Sequence, residues 1–300
     1  MKGVYDCEII EQTQVAPGVV RCRLNGPEIA REAQAGQFVN VKVASGTDPL
    51  LRRPFSVHAV DPDEGVFSLL YVLVGRGTEL LNRMRPGDTV SAVGPLGRGF
   101  DLGDSPEAEH IVVTGGCGAA PLHFLCDALC RKWGCERVTV LAGAQNRDAI
   151  LCEREFRAHG VGVGISTDDG SYGHHGFVTH LLEEHLSTGV GGRGSGDGEV
   201  CDERESLPNY PLSAIRHPLR IYSCGPHAML REVARISLAA GVESCQLSLE
   251  NNMACGIGVC MGCVQKIRGA APGDTSGRDW HRERVCKDGP VFNAEDIAWE

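Results

Sequence analysis

The sequence predicts an α+β protein of three domains: an antiparallel β-barrel over residues 1–102, a doubly wound parallel α/β domain over 103–243, and a small C-terminal domain over 244–300. Three observations carry this prediction. Short valine- and leucine-rich runs fill the first hundred positions, strands alternate with helices from about residue 108, and the last fifty-odd residues hold a cysteine cluster with little periodicity. A chain of 300 residues is also long for a single core.

The composition is that of an ordinary globular protein with an acidic balance. Hydrophobic residues make up 42% and charged residues 23%, and the formal net charge is −10. No basic cluster is present, which argues against a nucleic acid or an anionic membrane surface as a partner. The N-terminus lacks the apolar core of a signal peptide, and no apolar run approaches the roughly 18 residues of a membrane span. We therefore expect a cytoplasmic protein.

Five apolar runs in the first hundred residues predict β-strands. Gly, Pro and Asp bound them, and their spacing is typical of an antiparallel barrel or sandwich. The runs are VVRCRL, FVNVKV, FSVHAV, FSLLYVLV and DTVSAVG.

The middle of the chain alternates between two periodicities. Four runs predict strands: HIVVTGG, RVTVLAGA, VGVGIST and RIYSCGP. One helix is predicted to begin near Leu122, and others cover EREFRAHG, FVTHLLEEHL and HAMLREVARISLAAG. This alternation predicts a parallel sheet with helices on both faces.

One segment, residues 187–209, interrupts the alternation. Its sequence STGVGGRGSGDGEVCDERESLPN is rich in glycine, serine and acidic residues and has no apolar face. Because such a segment cannot bury enough apolar surface to offset its ordering entropy, we expect a flexible surface insertion.

Four of the fourteen cysteines fit a single site near the C-terminus. Cys255, Cys260 and Cys263 form C-x4-C-x2-C, and Cys286 follows after 22 intervening residues. We expect no export signal, which disfavours disulfides, and a thioredoxin-like pair would be a lone C-x-x-C. Structural zinc usually shows two C-x-x-C knuckles, whereas here there is one. The spacing is instead that of a plant-type [2Fe–2S] cluster.

Glycines between these cysteines support the cluster interpretation. Gly256, Gly258 and Gly262 are expected to adopt positive φ, which would bring backbone N–H groups close to the sulfur atoms. Hydrogen bonds of this kind help to set the reduction potential of a cluster.

A glycine turn in the second domain is a candidate nucleotide site. Gly116, Gly118 and Pro121 form G-x-G-x-x-P between a predicted strand and a helix, where N–H donors and the helix dipole favour phosphate. A tight βα turn without any ligand would look similar. Cys224-Gly225-Pro226 ends the last predicted strand, where ligands sit in an open parallel sheet, although a buried thiol is an equal alternative for Cys224.

Two stretches of the first domain are weaker signals. LLRRPFSVHAV carries an arginine pair entering a strand, followed by an aromatic residue and a serine, and a surface arginine pair is the alternative. VGRGT, residues 74–78, is a second glycine turn with a hydroxyl group suited to phosphate oxygens.

Taken together, these motifs resemble the ferredoxin–NADP⁺ reductase superfamily with a C-terminal [2Fe–2S] domain, and within it the electron-transfer subunits of dihydroorotate dehydrogenase B. The resemblance covers nearly the whole chain. It rests on GQF at 36–38, RPFS at 53–56, GRGT at 75–78, GGCGAAP at 115–121, TDDGS at 167–171, CGP at 224–226, LENNMACGIGVCMGC at 249–263 and VCKDGPVF at 285–292.

The resemblance implies three bound groups: FAD, NAD and a [2Fe–2S] cluster. Arg53 would bind the FAD pyrophosphate, Ser56 would lie near the flavin N5, and Phe55 occupies the place of a group that stacks on the isoalloxazine. Other implied FAD contacts are Pro54, Leu70, Tyr71, Val72, Gly77 and Thr78. The implied NAD contacts are Gly116, Gly118 and Pro121 at the phosphates, and Cys224, Gly225 and Pro226 beside the nicotinamide.

The resemblance also implies an oxidoreductase subunit that works as an electron relay in pyrimidine (UMP) biosynthesis. An FMN-containing catalytic partner, with two copies of each subunit, would oxidise dihydroorotate, and electrons would pass through the cluster and FAD to NAD⁺. Flavin can stand between the two other groups because it exchanges one or two electrons. No catalytic acid or base is expected in this chain.

Two other functions fit parts of the pattern. The small subunit of a ferredoxin:NADP⁺ transhydrogenase or a sulfide dehydrogenase shares the flavin and cluster layout, although some of these replace one cysteine ligand by aspartate. A non-catalytic redox sensor would keep nucleotide sites without turnover, but two nucleotide turns and a cluster are more than a sensor requires.

Overall fold

The computed structural model describes residues 3–44, 46–187, 218–270 and 277–299. Within these ranges it contains a closed antiparallel barrel, a seven-stranded mainly parallel sheet and a two-stranded ribbon, so the predicted fold class is confirmed. The predicted flexible insertion 187–209 lies, apart from Ser187, outside the described residues. Among the described helices, none is long and apolar enough to cross a membrane.

The barrel is closed by six strands in the order β1-β2-β5-β4-β3-β6. The strands are β1 (Gly3–Ala16), β2 (Val19–Asn25), β3 (Phe38–Lys42), β4 (Arg53–Asp61), β5 (Val66–Val72) and β6 (Thr89–Leu96). The five apolar runs correspond to β2–β6. Two short helices, α1 (Pro27–Glu32) and α2 (Arg76–Arg83), lie between strands and were not predicted.

Strand β1 was also missed, because its sequence is largely polar. Only Cys7 and Ile9 of its fourteen residues are buried, and bulges interrupt its register with β2. Cys7 and Cys22 face the barrel core, and burial raises the pKa of both thiols to about 12. These two cysteines therefore behave as small core residues.

The seven-stranded sheet has the order β10-β9-β8-β7-β11-β12-β15. In chain order its strands are β7 (Glu109–Gly115), β8 (Val138–Ala144), β9 (Gly162–Thr167), β10 (His174–His175), β11 (Leu219–Cys224), β12 (Ser244–Ser248) and β15 (Val291–Asn293). All neighbours are parallel except β12 and β15, which are antiparallel. The chain runs outward from β7 to β9 and returns to the other side at β11, so the strand order reverses between β7 and β11.

Helices cover both faces of this sheet, as a doubly wound fold requires. The helices are α3 (Ala119–Trp133), α4 (Glu153–Ala158), α5 (Val178–Ser187) and α6 (His227–Ala240), with 3₁₀ turns at Gly116–Gly118, Cys135–Arg137 and Arg147–Ala149. The buried side chains of α3 and α4 join the barrel core, whereas those of α5 and α6 form a second core on the opposite face.

The C-terminal segment is built partly into the central sheet. Strands β13 (Val264–Arg268) and β14 (Trp280–Arg284) form the antiparallel ribbon, while β12 and β15 extend the parallel sheet. The backbone N–H of Leu249 donates to the carbonyl of Pro290 at 2.9 Å, which continues the β12–β15 pairing. Two segments of the region 244–300 are therefore held at the edge of the α/β core.

The barrel packs on α3 through two stacked histidines. His58 of β4 donates from Nδ1 to the carbonyl of Ala120 at 3.1 Å, and His123 of α3 donates from Nδ1 to the carbonyl of His58 at 3.1 Å. Their ring centroids are 4.5 Å apart. Each ring thus satisfies a carbonyl of the other domain, with His58 buried and His123 half-buried.

His58→Gln tests this packing through its pH dependence. Burial, with a smaller contribution from His123, lowers the pKa of His58 from 6.5 to about 3. The unfolded chain therefore binds more protons between these values, and stability is lost as the pH falls below about 6.5. Between pH 7 and pH 5 we expect the wild-type free energy of unfolding to fall by about 2 kcal/mol more than that of the variant. Urea denaturation at both pH values measures this, and equal losses would contradict it.

Candidate functional site: two cavities and a cysteine loop

The turn GGCGAAP lies where the strand order of the sheet reverses. Strand β7 ends at Gly115, a 3₁₀ turn covers Gly116–Gly118, and α3 begins at Ala119, three residues earlier than predicted. Gly116 has φ +53°. A Cβ on Gly118 would lie 2.0 Å from the carbonyl oxygen of Cys224, so only glycine allows the turn to pack on the end of β11. The two predicted nucleotide motifs are therefore in contact.

A cavity of about 500 Å³, the sheet cavity, opens at the carboxyl ends of the parallel strands. This is the edge at which open α/β sheets bind ligands. Gly116 and Pro226 line it, together with Gly115, Gly143, Ala144, Gln145, Ala149, Asp168, Phe177, Val178, Thr179, Ala228, Met229 and Glu232. Met229 covers both glycine turns: a Cβ on Gly115 or Gly225 would lie within 2.6 Å of its side chain.

Other predicted residues of this region lie behind the cavity wall. Pro121 is buried in the first turn of α3, and Cys224 is 1% exposed at the end of β11. Burial, with the nearby Glu250 carboxylate, raises the pKa of the Cys224 thiol. Cys224, Gly118, Pro121 and Gly225 are not among the described residues that line either cavity. They support the two glycine turns on the side that faces away from the cavity.

A second cavity of about 370 Å³, the barrel cavity, lies between the barrel and the sheet. Eight of the nine predicted FAD contacts line it: Arg53, Pro54, Phe55, Ser56, Leu70, Tyr71, Val72 and Thr78. The rings of Phe55 and Tyr71 lie 5.3 Å apart. An apolar, aromatic wall edged by a guanidinium and hydroxyl groups fits a flat ring that carries a phosphate tail.

The ninth predicted residue, Gly77, supports Arg53 from the side. A Cβ on Gly77 would lie 2.3 Å from Arg53 Nε, so the glycine leaves the space that the guanidinium occupies. The Thr78 side chain forms hydrogen bonds within its own turn: its hydroxyl donates to the carbonyl of Gly75 at 2.9 Å and accepts from the N–H of Val74 at 3.1 Å. The GRGT turn therefore fixes the arginine as well as the start of α2.

Ten further residues line the barrel cavity and were not predicted as contacts. They are Phe38, Val74, Cys117, Ala120, Ser248, Leu249, Glu250, Asn251, Met253 and Pro290. Six of them lie at or after the end of β12 or directly before β15, and they reach the cavity only through the pairing of these strands. The segment LENNM, residues 249–253, was part of the family resemblance and could have indicated them. Burial raises the pKa of the Glu250 carboxyl.

The two cavities share one wall. Gly115 and Gly116 line the sheet cavity, while Cys117 and Ala120 of the same turn line the barrel cavity. On another side, the barrel cavity is lined by Leu249–Asn251 and Met253, which lead directly into the cysteines. The barrel cavity thus borders both of the other sites.

The four cysteines fall into two pairs. The cysteine loop, Cys255–Cys263, brings Cys255 and Cys260 together, and the N–H of Cys260 donates to Cys255 Sγ at 3.5 Å. Cys263 pairs with Cys286, whose N–H donates to Cys263 Sγ at 3.4 Å. Among the described residues no group of three or more metal-binding side chains surrounds one point. Two pairs of thiols fit a cluster of two irons better than they fit a single zinc ion.

Backbone N–H groups stabilise one thiolate of the loop. Desolvation opposes the charge on Cys255, but hydrogen bonds from the N–H groups of Cys260, Ile257 and Val259 outweigh it and lower the pKa of the thiol to about 6. Burial and the neighbouring Cys263 raise the pKa of Cys286 to about 12. Gly256 and Gly258 adopt positive φ as expected. The expectation for Gly262 was wrong: Met261 takes the left-handed conformation, with φ +57°.

Side chains from outside the loop hold it against the barrel. Asn40 of β3 is buried and donates to the carbonyl of Cys255 at 3.3 Å, and Gly256 leaves room for its amide. Arg284 donates to the carbonyl of Gly258 at 2.9 Å and forms an ion pair with Asp288 at 2.7 Å. The loop is thus fixed on both sides.

Comparison with known proteins agrees with this arrangement. A family model for the iron–sulfur cluster binding domain of dihydroorotate dehydrogenase B matches residues 250–298, and one for an oxidoreductase FAD-binding domain matches residues 6–100. The electron transfer subunit of dihydroorotate dehydrogenase B (NAD(+)) from Desulforamulus reducens is 37% identical, with all of both chains covered. This chain belongs to that family. The subunit from Geobacillus kaustophilus is 36% identical over 99% of this chain and its whole length.

Solved structures place the family in its wider fold. An NADH-dependent reduced ferredoxin–NADP oxidoreductase superposes with a TM-score of 0.75 at 26% identity, covering 100% of this chain and 92% of that chain. A ferredoxin NADP⁺ reductase from Neisseria gonorrhoeae superposes with a TM-score of 0.58 at 16% identity, covering 79% of this chain and 92% of that chain. At this identity the likeness supports the fold alone. The predicted superfamily and its FAD and iron–sulfur domains are confirmed.

Gly77→Ala tests the support of Arg53. The added Cβ would displace the guanidinium, so we expect the purified variant to hold FAD with at least about tenfold weaker affinity, since hydrogen bonds to charged groups contribute about 1.5–3 kcal/mol. Flavin absorbance per chain after dialysis measures this. Gly75→Ala is the matched control, because a Cβ there meets nothing within 4 Å. Equal flavin retention in the two variants would refute the role of Gly77.

Proposed function

We propose that this chain is the electron-transfer subunit of a dihydroorotate dehydrogenase that uses NAD⁺, in pyrimidine (UMP) biosynthesis. It would take electrons from an FMN-containing catalytic partner and deliver them to NAD⁺. The observation that carries this proposal is the shared-wall arrangement: the barrel cavity borders the sheet cavity through GGCGAAP and the cysteine loop through Leu249–Met253. A relay needs its central group to lie next to both of the others.

The order of the sites matches the chemistry of the groups they would hold. When bound, an iron–sulfur cluster exchanges single electrons, a flavin one or two, and a nicotinamide a hydride. Cys255, Cys260, Cys263 and Cys286 would hold the [2Fe–2S] cluster in the cysteine loop. The protein itself supplies distance and orientation, and no general acid or base is required of it.

The barrel cavity would hold FAD. In this proposal Arg53 neutralises the pyrophosphate, and Phe55 and Tyr71 contact the apolar ring. Ser56, which lines the same cavity, would lie near the flavin N5. Pro54, Leu70, Val72 and Thr78 complete the wall, and Gly77 leaves the space for the guanidinium.

The sheet cavity would hold NAD. Gly116 would let the pyrophosphate approach the start of α3, where backbone N–H groups and the helix dipole favour an anion, and Gly118 would hold this turn against the end of β11. Pro121 preorganises the first turn of that helix. Cys224, Gly225 and Pro226 would lie on the nicotinamide side, next to the wall shared with the barrel cavity.

The names of the relatives imply a catalytic partner subunit. We propose that it contains FMN and that two copies of each subunit assemble. A cytoplasmic location is part of the proposal, supported by the absence of disulfides among the described cysteines. The division of the chain at 102/103 and 243/244 remains a prediction for the three functional units.

Reconstitution tests the whole proposal. The purified chain should be yellow-brown, with about one FAD and two irons. Mixed with an FMN-containing dihydroorotate dehydrogenase, it should form NADH when dihydroorotate and NAD⁺ are added. A colourless protein containing zinc would refute the proposal, and failure of NADH to bleach the flavin would favour a redox sensor.

One solved structure supports a second candidate. The NADH-dependent reduced ferredoxin–NADP oxidoreductase covers the whole chain at 26% identity, so a transhydrogenase-type small subunit shares this layout. Its partner would be a larger flavoprotein with additional clusters. Copurification with such a protein, with no dihydroorotate-dependent activity, would favour this candidate. The higher identity of the dihydroorotate dehydrogenase relatives, 37% and 36%, favours the first.

Cys255→Ser tests the role of the cluster separately from that of the flavin. We expect the variant to lose most of its iron and at least about 100-fold of its dihydroorotate-dependent NADH formation, while NADH still reduces the flavin, because only the partner route needs the cluster. Iron analysis and stopped-flow absorbance measure the two effects. Cys245→Ser, at a buried cysteine of β12, is the control and should retain both activities. Full dihydroorotate-dependent activity in an iron-free Cys255 variant would contradict the relay.

A further inference from the structure

A buried amide of the barrel contacts the cysteine loop, and the proposed function does not use it. Asn40 of β3 is 1% exposed, and its Nδ2 donates to the carbonyl of Cys255 at 3.3 Å. Because a carbonyl only accepts hydrogen bonds, the nitrogen end of the amide faces Cys255. The positive end of the amide dipole is therefore directed at the first residue of the cysteine loop.

The alternation of β3 places Asn40 between the barrel cavity and the cysteine loop. Val39 and Val41 belong to the barrel core, so Phe38 and Asn40 lie on the opposite, outer face of the strand. Phe38 lines the barrel cavity, and so does Pro54, which pairs with Asn40 in the neighbouring strand β4. Residues two apart on a strand are separated by about 7 Å. One strand thus presents neighbouring side chains of the same face to the two sites.

The oxygen end of the amide has no partner among the described residues. Asn40 Oδ1 is buried, and nothing in the described part of the chain donates to it. An unpaired buried acceptor costs free energy, which an apolar side chain would avoid at this position of a strand. Asn40 is therefore unfavourable for the barrel alone. Such local conflicts are expected where a residue serves a site.

The cysteine loop leaves space for this amide, and the barrel fixes the strand that carries it. Gly256 adopts φ +70°, and a Cβ at this position would clash with Asn40 Nδ2. On the barrel side, Arg52 donates to the carbonyl of Asn40 at 3.3 Å and to the carbonyl of Ser91 at 2.6 Å. The amide thus has a defined position against the loop.

The two pairs of cysteines differ in how the fold holds them. Cys263 and Cys286 are each 2% exposed and lie next to β13 and β14, whereas Cys255 is half-buried and Cys260 is exposed. The N–H of Cys260 donates to Cys255 Sγ, which joins the outer pair internally. The hydrogen bond from Asn40 anchors this outer pair to the barrel.

We propose that Asn40 is a positioning residue that holds Cys255 in place beside the barrel cavity and, through the dipole of its amide, raises the reduction potential of the cluster. One-electron reduction makes a cluster more negative, so the positive end of a nearby dipole stabilises the reduced form. In buried surroundings this interaction is stronger than it is in water. This role rests on the proposed function only in the assignment of a [2Fe–2S] cluster to the four cysteines.

Asn40→Leu tests this role, because it removes the amide and keeps the shape of the side chain. The FAD- and cluster-loaded chain is taken through a redox titration in which electron paramagnetic resonance records the reduced cluster. At a fixed ambient potential, the ratio of reduced to oxidised cluster should fall at least about threefold, which is a shift of about −28 mV for one electron. A chelator should also remove iron about tenfold faster, since contacts of this kind commonly contribute tenfold or more to metal affinity.

Two controls make the shift specific to the amide. Val41→Ala changes the next residue of β3, on the core face, and should lower the urea midpoint because it leaves a cavity, while the cluster potential stays at its wild-type value. Asn40 is not among the described residues that line the barrel cavity. The flavin potential, followed by absorbance in the same titration, should therefore be equal in Asn40→Leu and wild type.

The outcomes separate the role of Asn40 from the proposed function. An unchanged or higher cluster potential in Asn40→Leu, or an equal shift in Val41→Ala, would overturn it. Asn40→Leu removes an unpaired acceptor and should fold; an unfolded variant would show that the amide serves the barrel itself and would also overturn it. If the cluster potential falls but no NADH forms from dihydroorotate with the partner, the relay fails and the role of Asn40 stands. If NADH forms and the potential is unchanged, the relay stands alone, and a chain without a cluster would refute both.

Discussion

The contact between Gly118 and the carbonyl of Cys224 is the constraint on which the two cavities depend. The end of β7 and the end of β11 meet there without a side chain between them, since a Cβ would lie 2.0 Å from that oxygen. This close approach directs the GGCGAAP turn so that its first glycines face the sheet cavity, while Cys117 and Ala120 face the barrel cavity. A bulkier turn would separate the strand ends and remove the wall that the two cavities share.

Much of the site could be predicted because several of its residues belong to short motifs that are contiguous in the sequence. The four-cysteine spacing, the GGCG turn and the RPFS strand are local patterns, and residues of each lie at the candidate site. The wall from Ser248 to Met253 could not be predicted, since it reaches the barrel cavity only through the pairing of β12 with β15. The positive φ at Met261 was also missed, because the preference of glycine for this conformation pointed to the neighbouring Gly262.

The fold shows the same division between local and tertiary information. Apolar alternation identified β2–β6 and the parallel strands. Strand β1 carries only two buried side chains, and its place in the barrel is secured by backbone pairing with β2 and β6. Hydrophobic periodicity cannot report such a strand. The short helices α1 and α2 are likewise too brief for a periodic signal, and they form where the closed barrel requires a connection.

Backbone hydrogen bonds set the spacing between the cysteine loop and the barrel cavity. Leu249 donates to the carbonyl of Pro290 at 2.9 Å, and Arg98 of the barrel donates to the carbonyl of Gly289 at 2.6 Å. Leu249 and Pro290 both line the barrel cavity, and each lies within six residues of a cysteine of the set. Both chain segments that carry the cysteines are therefore tied to the wall of the barrel cavity before they reach the cysteines. Electron transfer depends steeply on distance, so a relay gains from a separation that these backbone hydrogen bonds help to hold.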